Sequence, residues 1–175
     1  RRAAIGVLRI VLEQKLDLDL AELAQIAVAA QPVGTEDTAR EVLDYVMERA
    51  RAYYADHGYA AELFDAVLAT GVSRPLDFDA RMAALAAFGR LPEAESLAAA
   101  NKRIANILRK SESPASAAID ATLLQEPAER ALHAALEALS ADVTAALAAR
   151  HYDAALTRLA SLRPSVDAFF TDVMV

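Results

Sequence analysis

The sequence contains no cysteine, only five glycines and few aromatic residues, which make up 6% of its 175 residues. Without cysteine, a disulfide framework and a thiolate zinc site are excluded, and a cytoplasmic location is the one we expect. The few glycines leave little material for hairpins or for phosphate-cradling loops. No run alternates apolar and polar residues between turn signals, so strands are not predicted.

Other features are missing as well. No apolar run looks long enough to cross a membrane, and the opening residues do not form a signal peptide. The net charge of −7 argues against a generic nucleic-acid-binding protein, which would be basic overall, but it does not exclude a local basic stripe. The chain starts in a helical pattern without a capping residue and stops on an apolar run, so we expect a piece of a longer chain, truncated at its C-terminus.

The residues that are abundant predict an all-α protein. Hydrophobic residues make up 55% of the chain, and much of this is alanine, the best helix former and a small core residue. Capping residues at Asp19, Thr35 and Asp77 and glycines at 58 and 71 mark helix boundaries. The pattern predicts a bundle of about nine helices, over 3–15, 20–30, 35–57, 60–70, 78–89, 92–110 and 127–149 and from 152 and 164, with a linker at 111–121.

No catalytic or metal site is predicted. The three histidines, at positions 57, 133 and 151, lie on separate helix ends or faces, where capping or surface roles account for them. Acidic pairs such as Asp77 and Asp79 fall at predicted helix starts, where they favour capping. Nucleophile elbows, Walker loops and dinucleotide-binding glycine motifs are absent from the sequence. We therefore expect a protein that acts by binding.

A basic stretch at 101–110 holds four cations and no anion within an acidic chain. At about 100° per residue its polar side chains collect on one side of a helix, and the other side is expected to be buried through Leu97, Ile104, Ile107 and Leu108. Cations suit phosphates and amides suit base edges, so we predict RNA contacts. The predicted contact residues are Asn101, Lys102, Arg103, Asn106, Arg109 and Lys110. A solvated face whose cations favour the helix C-terminus explains the same residues, and the pattern leaves both open.

A second group of possible RNA contacts lies near the end of the third predicted helix. Tyr53 and Tyr54 could stack on unpaired bases between Arg49 and Arg51. Tyrosines partly buried between helices are the favoured alternative. Arg81 is a further possible contact.

Several segments resemble a known family. The stretches LAAANKRIANIL at 97–108, PLDFDARM at 75–82 and VDAFFTDVMV at 166–175 are similar to the C-terminal region of the bacterial glycyl-tRNA synthetase β subunit. The opening RRAAIGVLRI matches the same family further upstream, and LQEPAE at 124–129 and YDAAL at 152–156 fall between them in the expected order. The resemblance covers essentially the whole chain.

The resemblance implies a helical fold of the DALR anticodon-binding type over 72–175, with 1–71 as a leading helical segment packed on it. It also implies that the chain binds the anticodon arm of glycine tRNA, with the helix at 101–110 as the contact surface. In this family of aminoacyl-tRNA synthetases, the α subunit carries out ATP-dependent glycine–tRNA ligation. The partners implied are then glycine tRNA, the rest of β and the α subunit in an α2β2 tetramer, without DNA or a membrane. No cofactor is expected in this chain, and ATP and magnesium are expected on the α subunit.

The alternative is a helical protein–protein scaffold without RNA contacts. A basic, concave surface around residues 102–110 would favour RNA, whereas a large exposed apolar patch would favour a partner protein.

Overall fold

The computed structural model describes residues 2–110 and 119–173. Across these residues the chain is all-helical and contains no strand, which confirms the predicted fold class. The described residues form nine α-helices: α1 (Arg2–Glu13), α2 (Leu20–Ala29), α3 (Glu36–Asp56), α4 (Ala61–Leu68), α5 (Pro75–Phe88), α6 (Ala94–Lys110), α7 (Pro127–Ala148), α8 (Tyr152–Ala160) and α9 (Arg163–Asp172). A short 3₁₀ helix covers Ala121–Leu123. Most of the predicted linker, 111–118, lies outside the described residues.

Two of the predicted helix caps are confirmed. Asp19 Oδ1 accepts a hydrogen bond from the backbone N–H of Ala21 at 2.9 Å and so caps α2. Thr35 and Thr38 cap α3 reciprocally, each side-chain oxygen accepting from the other residue's backbone N–H. These bonds satisfy donors that the first turn of a helix leaves without an intrahelical partner.

Two other predicted helix starts are wrong. Helix α5 begins at Pro75, so Asp77 lies inside its first turn and is buried rather than capping. Its Oδ2 accepts from Arg81 Nε at 3.2 Å, one helical turn later. Helix α6 begins at Ala94, so Pro92 lies in the preceding turn. Proline at the first helical position explains the earlier start of α5, because its fixed φ and missing N–H suit that position.

The ends of α1, α3 and α7 share one geometry, in which the second residue after the helix has a positive φ. At α3 this residue is Gly58, with φ 84°, as predicted. At α1 and α7 it is Lys15 and Arg150, with φ 52° and 58°. In each case the next backbone N–H bonds to a carbonyl five residues earlier, for example Leu16 to Val11 at 2.9 Å. This is the Schellman arrangement, which satisfies carbonyls at the helix end.

The chain divides into two compact units, Arg1–Ala86 and Ala87–Val175. In the first unit, α3 packs against α1, α2 and α4. Residues 72–86, expected from the sequence to group with the second region, supply Phe78 and Met82 to the core of this first unit. That core is rich in aromatic and large aliphatic side chains: Leu8, Met47, Ala50, Tyr54, Phe64, Val67, Phe78 and Met82.

In the second unit, α7 packs against α8 and α9, and α6 packs against α9. Its buried positions are mostly alanines, with Leu162 as the one large side chain among those described: Ala94, Ala128, Ala155, Ala160 and Leu162. Small side chains let helices approach closely, but they bury little apolar area, so this unit has the thinner core.

Helix α7 is long and apolar enough, by length and composition, to cross a membrane. The expectation that no run in the chain is long enough was therefore wrong. Nine of its 22 residues are alanine, which is apolar on hydropathy scales but is equally at home in a helical bundle. Among the described residues α7 packs against α8 and α9, and Ala128 is its one buried residue.

Candidate nucleic-acid interface

The basic stretch forms the C-terminal part of α6. Four of the predicted contact residues recur at helical spacing and line one open depression, together with Ala99 and Ile107: Lys102, Arg103, Asn106 and Lys110. Residues three and four apart share a helix face, so the spacing in the sequence places these side chains together. Three cations and an amide thus border a single exposed surface, which we call the basic face.

The two lysines of the basic face have no partner among the described residues. Within the described part of the chain, neither Lys102 nor Lys110 forms an ion pair or hydrogen bond, and both residues are exposed. The amide of Asn106 is partly engaged, because its Oδ1 accepts a hydrogen bond from Arg109 Nη2 at 3.1 Å. The Asn106 NH₂ group is left as the donor that this side chain can offer to a ligand.

Arg103 is the member of the basic face that packs against the protein. Its guanidinium carbon lies 4.2 Å from the centroid of the Phe170 ring in α9, which is a cation–π contact. The same helices are joined by a hydrogen bond from Ser96 Oγ to Asp167 Oδ1, at 3.0 Å. Arg163 Nη1 also donates to the carbonyl of Pro92 at 3.3 Å. These contacts fix α6 on α9 along one side and leave the basic face outward.

The structure corrects the expected burial of the opposite side of α6. Leu97 and Ile107 are half-buried, but Ile104 is 41% exposed and Leu108 is 51% exposed. Helix α9 covers a narrow strip of α6 that includes Ser96 and Arg103, so an apolar stripe beside that strip stays open. Among the predicted contacts, Asn101 and Arg109 are exposed but do not line the depression.

The residues of the second group of possible contacts do not form one surface in the structure. Tyr54 is only 2% exposed, and its hydroxyl donates to Asp79 Oδ1 at 3.1 Å, so its ring cannot stack on a base. Burial, together with the nearby Asp79 carboxylate, strongly raises the pKa of Tyr54. The favoured alternative, a tyrosine packed between helices, is confirmed for this residue.

The arginines of that group differ in how they are held. Arg51 pairs with Asp65 at 2.7 Å and with Glu48 at 3.5 Å. Arg81 pairs with Asp77 at 3.2 Å. Arg49 has no carboxylate partner among the described residues, and its guanidinium lies 5.0 Å from the centroid of the Tyr45 ring.

A hollow between α1 and α3 contains Arg49 and Tyr53 and adds residues that the sequence did not single out. Its lining includes Arg9 from α1 and His57 from the end of α3. The His57 ring lies 4.2 Å from that of Tyr53, and their spacing of four residues could have suggested this contact. Nothing in the sequence indicated Arg9, because its approach to α3 depends on how the helices pack.

The described residues contain no group of three or more metal-ligating side chains. His57 Nδ1 is 2.7 Å from the carbonyl oxygen of Tyr53, to which it donates. The Nδ1 atom of His133 is buried in α7 without a hydrogen-bond partner. The three histidines lie in different elements, as the sequence predicted.

Comparison with known proteins covers both ends of the chain. Residues 1–69 match the family profile described as glycyl-tRNA synthetase beta subunit, and residues 97–175 match the DALR anticodon binding domain. The whole chain aligns with glycine–tRNA ligase beta subunits, at 51% identity to that of Pseudomonas aeruginosa, 48% to that of Xanthomonas campestris and 45% to that of Aliivibrio fischeri. The chain belongs to the glycyl-tRNA synthetase β-subunit family.

The family assignment confirms the resemblance read from the sequence. The chain spans 26% of the length of these β-subunit relatives, and all of it is covered in the alignments. The whole basic face, from Lys102 to Lys110, falls inside the segment that matches the anticodon-binding profile.

Proposed function

We propose that this chain binds the anticodon arm of glycine tRNA through the basic face of α6. The observation that carries the proposal is that Lys102, Arg103, Asn106 and Lys110 border one open depression within a chain of net charge −7. An acidic protein that concentrates on one exposed face lysines without a partner among the described residues has a surface suited to a polyanion. The match of residues 97–175 to an anticodon-binding profile supports a tRNA-binding role for the segment that contains this face.

The residues of the basic face have different roles in binding, according to their chemistry. Lys102, Lys110 and Arg103 contact phosphates, which position the RNA without reading its sequence. Asn106 donates from its NH₂ group to an acceptor on a base edge. Asn101 and Arg109 border the face and add contacts to neighbouring nucleotides. Because phosphate neutralisation releases counterions, affinity falls steeply as salt rises.

In the complete enzyme, this binding serves a reaction carried out elsewhere. The β subunit holds glycine tRNA while the α subunit, with ATP and magnesium, attaches glycine, in an α2β2 assembly that acts in the cytoplasm. This chain supplies recognition and no catalytic group. The remainder of β and the α subunit are its protein partners.

A protein–protein scaffold is the second candidate, and the exposed apolar stripe of α6 favours it. Ile104 and Leu108 together present an apolar strip that no described residue of the second unit covers. Such a strip is suited to a protein partner rather than to phosphates. In this view, the lysines of α6 are solvated and have no role in RNA binding.

Substitution of single lysines tests the proposal. Lys102→Gln and Lys110→Gln are each compared with Lys15→Gln, an exposed lysine of the first unit. Filter binding of glycine tRNA and of a tRNA with an altered anticodon is measured at several salt concentrations. Each α6 variant should lower the salt slope by about one and weaken both tRNAs equally, whereas Lys15→Gln should not. If all three folded variants bind like the parent, the scaffold function is favoured instead.

A further inference from the structure

The hollow between α1 and α3 is a second concentration of cations, and it lies in the first compact unit. It is lined by Ile5, Arg9, Arg49, Ala52, Tyr53, Asp56 and His57. Two guanidinium groups and an imidazole ring thus face one carboxylate in this acidic chain. None of these residues belongs to α6, so the hollow is separate from the basic face.

Arg49 makes fewer contacts than its burial requires. Its Nε atom is buried and has no hydrogen-bond partner, and no described carboxylate pairs with it. Leaving a buried donor unsatisfied is costly, and such groups are few in folded proteins. The centroid of the Tyr45 ring lies 5.0 Å from the guanidinium carbon, and a hydrogen bond from Arg49 lowers the pKa of Tyr45, so this contact engages part of the guanidinium but not its Nε–H. Arg49 therefore retains unused donor capacity at the edge of the hollow.

The other polar side chains of the hollow make few strong interactions with the rest of the protein. Arg9 Nε lies 4.0 Å from Glu13 Oε1, at the limit of an ion pair, and both side chains are about 60% exposed. Exposed pairs of this kind contribute little. His57 donates from Nδ1 to the Tyr53 carbonyl, which anchors the ring at the end of α3.

We propose that this hollow binds a phosphate group of the RNA backbone, with Arg49 and Arg9 as its ligands. The inference rests on the proposed tRNA-binding function and adds a contact in the first unit. Guanidinium groups match phosphate oxygens through paired N–H donors. Among the residues that line the hollow, two guanidinium groups stand against one carboxylate, that of Asp56. The hollow therefore accommodates one phosphate group.

The test compares arginines that differ only in position. Arg49→Gln and Arg9→Gln remove a charge from the hollow, and Arg40→Gln removes one from the opposite side of α3, about 180° around the helix. Arg40 pairs with Asp37 and lies outside the hollow. Each hollow variant should lower the salt slope of glycine-tRNA binding by about one and weaken binding, whereas Arg40→Gln should leave both unchanged. Circular dichroism checks folding, and the exposed Arg9 provides a variant that does not disturb packing.

A titration with inorganic phosphate, followed by NMR signals of the Arg49 Nε–H and the His57 ring, tests the hollow without RNA. Saturable shifts in the parent that disappear in Arg49→Gln support the proposal. If Arg9→Gln and Arg49→Gln bind tRNA like Arg40→Gln while the α6 variants weaken it, the hollow is refuted and the proposed function stands. If the parent does not bind tRNA at all, the proposed function fails, and absence of phosphate shifts then overturns the hollow as well.

Discussion

Arg103 and Phe170 connect the basic face to the rest of its unit, with the guanidinium carbon 4.2 Å from the ring centroid. Phe170 belongs to α9, so the position of this cation depends on how α9 packs against α6. The hydrogen bond between Ser96 and Asp167, at 3.0 Å, holds the same two helices together. The basic face, proposed as the RNA contact surface, is thus oriented by a residue that does not itself border the depression.

We expect Phe170→Leu to weaken tRNA binding about two- to fivefold. Loss of the cation–π contact, worth about 0.5–1 kcal/mol at exposed sites, releases Arg103 from its fixed position. Phe169→Leu is the matched control, since Phe169 packs edge-on against Phe170 at 5.4 Å and contacts no cation among the described residues. Filter binding at constant salt, with circular dichroism for folding, measures the difference. Equal effects of the two variants would show that Phe170 acts only through packing.

Substitutions at the helix-end residues Lys15 and Gly58 should change the free energy of unfolding in opposite directions. Both residues have a positive φ, which costs a non-glycine residue about 1–2 kcal/mol. Lys15→Gly should therefore raise the free energy of unfolding by up to about 1 kcal/mol, and Gly58→Ala should lower it by about 1 kcal/mol. A Cβ at position 58 would meet no heavy atom within 4 Å, so its cost is purely conformational. Urea denaturation of both variants measures the changes, and a stabilising Gly58→Ala would contradict the explanation.

These helix ends also show what the sequence can and cannot predict. Gly58 was predictable because glycine after a helical pattern is itself the signal for this geometry. Lys15 and Arg150 adopt the same geometry without that signal. Local sequence signals could therefore locate most helices, but they did not predict the backbone conformation at every helix end.

The candidate site, too, could be predicted from the sequence only in part. The spacing of Lys102, Asn106 and Lys110 was enough to place them on one face, because helical periodicity is a local property. Periodicity also separates the apolar side of α6, but it does not say whether another helix covers it. Ile104 and Leu108 were therefore wrongly expected to be buried. Tyr54 was misjudged as a possible stacking residue for the same reason, since its burial depends on α4 and α5.

Ser73 and Asp19 predict a pH-dependent contribution to stability. Ser73 Oγ donates to Asp19 Oδ1 at 2.7 Å, and this bond is the main cause that lowers the pKa of Asp19 below 3.8. A carboxyl group whose pKa is lowered by folding stabilises the fold above its unfolded pKa, and this is lost as the pH falls through the folded value. Ser73→Ala should therefore lower the free energy of unfolding by about 1 kcal/mol at pH 7, and by less as the pH falls through the folded pKa of Asp19.

Ser161→Ala is the control for this prediction. Ser161 Oγ donates to the carbonyl of Arg158 at 2.7 Å, a partner that does not titrate. Its effect in urea denaturation should be the same at pH 7, 5 and 3. If the effect of Ser73→Ala is equally independent of pH, the bond to Asp19 does not lower its pKa in solution.

The pair formed by Asn106 and Arg109 predicts how specificity arises on the basic face. Because Asn106 Oδ1 accepts from Arg109 Nη2 at 3.1 Å, the amide has two possible roles: to read a base with its NH₂ group, or to hold Arg109 for a phosphate. Asn106→Ala removes both roles. Asn106→Asp keeps the acceptor for Arg109 and removes the NH₂ donor. Comparison of the two variants therefore separates the roles.

If Asn106 reads a base, both variants should narrow the gap in affinity between glycine tRNA and a tRNA with an altered anticodon, by about 1–3 kcal/mol. Arg109→Ala should instead weaken both tRNAs equally and lower the salt slope by about one. The difference in affinity between the two tRNAs is the decisive quantity. The negative charge added in Asn106→Asp repels both RNA backbones equally, so its effect cancels in this difference. If Asn106→Ala instead behaves like Arg109→Ala and Asn106→Asp leaves the gap intact, then Asn106 only positions Arg109, and the base must be read elsewhere on the chain.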